Sequence, residues 1–207
     1  MSMLKSKPGA LGLREIFKLM PDHAEGVVRY YEAVMRGPSP LTPGERELIY
    51  SYCSALSGCH YAHTSHKACA IALGIKPKVF PALLDNLETA PVRAKLKPIL
   101  RFARKLTLAP AVMEDADAAP IYAAGWSEQA VTDTIIVTSL TAWINRILNG
   151  FGASASDGEH RVAGRRLAKG GYIPVAMAVR ASLEGIRGTK TPATASISKS
   201  RAPRRAR

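Results

Sequence analysis

Residues 42–74 read TPGERELIYSYCSALSGCHYAHTSHKACAIALG. Thr42-Pro43-Gly44-Glu45 has the spacing of a capping box, with proline at the first helical position, where its missing N–H costs nothing. The helix so opened is expected to run to about Leu56, and Ser57-Gly58 breaks it. A second helix is expected to start near Cys59 and to stop at Gly74, a good residue to follow a helix end, with Pro77 just beyond.

Working outward, the rest of the chain repeats this grammar. Residues 21–36 open with Pro21 and Asp22 and close at Gly37-Pro38. Helices are expected at 78–88 and 91–106, split at Ala90-Pro91, and another at 111–124. Ser127 caps a long one reaching about Asn149, with Gly150 as its stop. Shorter ones at 159–169 and 174–186 flank Gly170-Gly171, and the segment before residue 21 reads as a loose start. No stretch alternates with a period of two between turn residues. The fold class is all-α.

At 207 residues, 47% hydrophobic and 22% charged, the chain fits one domain with tails and is not wholly disordered. No run of eighteen apolar residues marks a membrane span. The N-terminus, MSMLKSKPGALGLREIF, has no uninterrupted apolar stretch and no small-residue cleavage site, which argues against a secretory signal. Cysteines at 53, 59 and 69 are too few, and odd in number, for a disulfide framework. A reducing, cytoplasmic setting is expected.

Lys and Arg number 29 against 16 acids, a formal charge of +13. From Gly188 the sequence GTKTPATASISKSRAPRRAR carries six of those charges and no acid, which leaves +7 for the body. With Ile197 as its one large aliphatic residue, this tail is expected to be disordered. Charge alone reads no base, and the body offers no recognition helix, zinc module or stacking platform. Nucleic acid is therefore expected to meet the tail only non-specifically.

All three cysteines and three of the five histidines fall between Glu47 and Cys69. On a helical wheel Cys59, Ala62, His63 and His66 share one face, while His60 points about 100° away. Cys69 lies about 15 Å along the helix from Cys59, too far for a disulfide. At a helix N-terminus the dipole favours the Cys59 thiolate, and His66 or His63 is placed to act as its base. Cys53 and Cys69 read as small core residues, and Cys59 reads equally well as either. Glu47, taken alone, reads as a surface carboxylate. Histidines stepping by three drift around the helix, so one helix cannot aim His60, His63 and His66 at one metal, and no metal or cofactor is expected.

The stretch Glu45-Arg46-Glu47-Leu48-Ile49, then Ser54 to Ala62, His66, Ala70 and Leu73-Gly74, resembles the core motif of the alkylhydroperoxidase D-like proteins of the carboxymuconolactone decarboxylase family. Trp126-Ser127, Asp133-Thr134, Thr141 to Arg146 and Gly150-Phe151-Gly152 are similar to the long helix of its peroxidase-related branch. Together they cover about residues 20–152. The resemblance implies an alkylhydroperoxidase D-like helical bundle at 15–187 between a flexible N-terminus (1–14) and the basic tail (188–207), assembled as a homo-oligomer.

It also implies roles. Redox members carry a Cys-x-x-Cys pair at a helix start, with a Glu twelve residues before it and a His seven residues after its first Cys. These positions are Cys59, Glu47 and His66 here, but the second cysteine is replaced by Ala62. A hydroperoxide-reducing enzyme would then attack peroxide with Cys59 alone, manage protons with His66 and Glu47, use His63 as an extra base or substrate contact, and depend on an external thiol reductant. The family's decarboxylases lack the pair and keep Glu and His, which implies instead acid/base chemistry on a small carboxylate or lactone. A third expectation is a catalytically degenerate binding module.

Overall fold

Thr42 caps α3 (Pro43–Leu56) as its spacing requires. Its hydroxyl accepts the Glu45 N–H, and the Glu45 carboxylate accepts the Thr42 N–H at 2.9 Å. Gly58, at φ +67°, turns the chain into α4 (His60–Ala72), for which Cys59 is the N-cap residue. The computed structural model that establishes this describes residues 3–9 and 11–188, the last seven by backbone alone. The basic tail lies outside the described residues except for Gly188.

The other helices are α1 (Leu13–Leu19), α2 (Pro21–Arg36), α5 (Val79–Asp85), α6 (Lys97–Leu108), α7 (Ala119–Ala123), α8 (Glu128–Gly150), α9 (Asp157–Gly170) and α10 (Ile173–Gly188). Among the described residues the only extended pairing is an isolated bridge between Leu11 and Ala153. The all-α class is therefore correct.

Helix α3 is the axis, with every residue from Gly44 to Ser54 buried. It packs on α4, α6 and α8, while α9 covers the far flank of α4 and α10 lies on α2. Gly164 lets α9 approach α4 closely. A Cβ there would sit 2.7 Å from the Ala68 backbone.

Three boundaries depart from the expectations. The helix expected at 91–106 starts only at Lys97, after a 3₁₀ turn at Ala94–Leu96. The one expected at 111–124 reduces to two 3₁₀ turns (Pro110–Val112 and Asp115–Asp117) and the short α7. In both, a proline (Pro98, Pro120) would have stood inside the longer helix and clashed with the preceding turn. Each instead occupies the first turn of the helix that forms. The loose start before residue 21 holds α1, whose Ile16 and Phe17 are buried. Gly12 gives it no side-chain cap, so tertiary burial rather than a local signal secures it.

Candidate active site

Helices α3 and α4 run antiparallel, and one face of each meets the other in register. Cys59 N–H donates to the Ser54 carbonyl (2.9 Å), His63 Nδ1 to that of Ser51 (3.0 Å), and His66 Nδ1 to the Glu47 carboxylate (2.6 Å). The face shared by Cys59, His63 and His66 is thus the face turned to α3, and it distributes these residues along the seam. His66 reaches Glu47, His63 reaches Ser51, and His60 points away, with Thr64 at 3.5 Å.

Glu47 is fully buried and fully used. Its Oε2 accepts from His66, and its Oε1 accepts from Arg36 (2.7 Å) and from the Tyr172 hydroxyl (3.0 Å). Burial by itself raises a carboxyl's pKa, but His66 and Arg36 more than offset it and hold Glu47 below its ordinary range. Arg36 is raised in turn: burial works against its charge and the Glu47 carboxylate outweighs that. A carboxylate only accepts, so Nδ1 of His66 carries the proton and, in the neutral ring, Nε2 is left with its lone pair. Among the described residues Nε2 has no hydrogen-bond partner.

Aromatic rings fix this pair. Tyr50 stacks on His66 with centroids 3.5 Å apart, and its hydroxyl lies 2.6 Å from that of Tyr31. Tyr31, Tyr50 and Tyr172 are all pushed well above the ordinary phenol value, chiefly by burial, and so stay neutral. They line a cavity of about 580 Å³ between α1, α4, α9 and α10, walled largely by Phe17, Leu148, Val175 and Val179. His66, Ser65 and Ala62 form its α4 wall, and Arg14, Lys18 and Arg166 also border it.

Cys59 stands where a helix dipole acts on it, yet burial dominates. The residue has no exposed surface, and its thiol is raised by burial, against the pull of the Ala62 N–H. Among the described residues no base or cation hydrogen-bonds its sulfur. Cys53 is buried and pushed up to about 11. Cys69 is buried under Arg36 (Nη2 to Sγ 3.4 Å) and raised, mainly by burial and then by the Glu47 charge. Both are core residues, as read.

The family model for the carboxymuconolactone decarboxylase family matches residues 21–90. Over that segment the chain is similar to that family. Solved structures agree. A peroxidase-related protein from Silicibacter sp. TM1040 is 26% identical with a TM-score of 0.66, over 72% of this chain and 78% of that one. An alkylhydroperoxidase AhpD core, a peroxidase-related protein from Ralstonia eutropha JMP134, is 28% identical with the same TM-score and coverage. Among curated proteins none gives a significant match.

Four residues of the site, Arg36, Tyr172, Tyr31 and Tyr50, are not among those expected from the sequence. Arg36 ends α2 and looks like an ordinary C-terminal helix charge. Tyr172 lies 125 residues from Glu47 and reaches it because Gly171, at φ +66°, turns the chain there. Tyr31 likewise arrives from another helix. Tyr50 alone was legible in principle, since it stands one turn after Glu47 on α3.

Proposed function

We propose that the chain is a non-redox enzyme that moves protons on a small carboxylate or lactone, with His66 as the acid/base and Glu47 as its positioning partner. One observation carries this reading: a hydrogen-bonded Glu47–His66 pair faces an aromatic cavity in which Ala62, not a thiol, occupies the adjoining wall. The Nε2 lone pair takes a proton from a C–H or O–H beside the substrate carbonyl. The imidazolium so formed is stabilised by Glu47 and returns the proton to the product. Arg36 and Tyr172 keep Glu47 ionised and aimed, and the apolar walls exclude water.

A panel of lactones and small carboxylates assayed with purified protein tests it. Turnover is expected from wild type and Cys59→Ser alike, and a loss of about 10²–10⁴-fold in His66→Ala. Activity lost in Cys59→Ser and kept in His66→Ala would overturn it.

A second reading is favoured by the two relatives, both described as peroxidase-related. Cys59, at the N-cap of α4, would attack a hydroperoxide oxygen to give a sulfenic acid and release the alcohol. Two equivalents of an external thiol would then reduce the sulfenic acid, the first forming a mixed disulfide with Cys59 and releasing water, the second freeing the Cys59 thiol and leaving the external pair as a disulfide. Burial of Cys59 and its raised pKa weigh against this reading. Under either reading the chain assembles with copies of itself, which light scattering on the eluting protein tests. A mass equal to a single chain would contradict assembly.

A further inference from the structure

Helix α4 has a second functional face. Opposite the cavity, His60, His63 and Lys67 of α4 and Arg161, Arg165 and Lys169 of α9 border a separate groove of about 910 Å³. Its formal charge is strongly one-sided, because Asp157 is its only acid.

Five basic side chains, Arg29, Arg36, Arg93, Arg101 and Lys105, each hold a carboxylate, and most of the others, in the groove and outside it, hold none among the described residues. Among the described residues Lys67, Arg161, Arg165 and Lys169 hold none. Lys67 is half-buried, and its ammonium lies 5.7 Å from the centre of the Phe80 ring. His63, also at the groove, donates Nδ1–H to the Ser51 carbonyl, so its Nε2 donates only when the ring is protonated. The Thr64 hydroxyl adds a neutral donor. A cleft lined by one sign of charge concentrates counter-ions, and charge-assisted hydrogen bonds from its guanidinium and ammonium groups can hold one.

We propose that this groove binds a small, multiply charged oxyanion, with Lys67 and Arg165 as the central cations. The size of the groove and the number of its cations fit a pyrophosphate group or a tricarboxylate better than a single carboxylate. The site is separate from the Glu47–His66 cavity and stands whichever reaction that cavity performs.

The test is calorimetric titration of the full-length protein with sodium pyrophosphate and, separately, citrate, in 150 mM NaCl. One saturable site is expected for at least one probe. Pyrophosphate alone would assign phosphate chemistry, citrate alone carboxylate chemistry. Lys67→Gln/Arg165→Gln is expected to weaken binding by at least about tenfold, because each charge-assisted hydrogen bond carries about a decade or more of affinity. Lys76→Gln/Lys78→Gln removes the same charge from exposed positions outside the groove and is expected to change affinity less than about twofold. Saturable binding of neither probe would overturn the proposal. So would equal weakening by both variant pairs, which marks a diffuse ion atmosphere, or unchanged binding in Lys67→Gln/Arg165→Gln, which places the anion elsewhere.

Discussion

Glu47 holds three partners on two oxygens, and each partner is itself buried or half-buried. Removing its charge therefore strands Arg36. Glu47→Gln is expected to cost about 3–5 kcal/mol of stability, the usual penalty for breaking a buried pair from one side, as read by urea denaturation at neutral pH. The sign with pH follows from the direction of the shift. The folded carboxyl titrates below its ordinary 4.5, so the unfolded chain binds more protons as the solution is acidified through that value. Its stabilisation is complete above that pH and is lost as the pH falls through the folded value. Wild type should thus lose stability between pH 5 and pH 3 more steeply than Glu47→Gln, and parallel curves would refute this assignment of the charge. Tyr172→Phe keeps the ring and loses one hydrogen bond to the carboxylate, with an expected loss of about 1.5–3 kcal/mol by the same denaturation.

Helices carry the next level of the argument, and here the sequence was most informative. The capping box at Thr42, the break at Ser57-Gly58 and the stop at Gly74 were legible because each is local chemistry written in adjacent residues. The pairing of Glu47 with His66 was legible only through spacing and resemblance, since nothing local distinguishes a buried carboxylate from a surface one. Arg36 and Tyr172 were not legible at all, because they meet Glu47 through the packing of α2 and α10 around it. The helices within 91–106 and 111–124 are shorter than expected because Pro98 and Pro120 fit only in a first turn. Two predictions belong to this scale. Thr42→Ala removes the α3 cap and is expected to cost about 1 kcal/mol. Gly164→Ala drives a methyl into the Ala68 backbone, and about 1–3 kcal/mol of overpacking is expected. Thermal unfolding reads both, and an unchanged Tm for Gly164→Ala would mean that α9 does not approach α4 so closely.

At the scale of the whole molecule, α4 divides two environments. One side is a largely apolar, aromatic cavity bordered by the hydrogen-bonded Glu47–His66 pair, and the other a basic groove rich in histidine. No helix among the described residues is long and apolar enough to cross a membrane. The one thiol at the start of α4, Cys59, lies in the core. The central claim is that chemistry resides at His66 and not at Cys59. Intact-mass spectrometry after stoichiometric hydrogen peroxide with dimedone, beside a Cys59→Ser control, tests it most directly. The account predicts no adduct at Cys59 on the timescale of turnover. A rapid adduct that vanishes in Cys59→Ser would contradict it and make the thiol the reacting group.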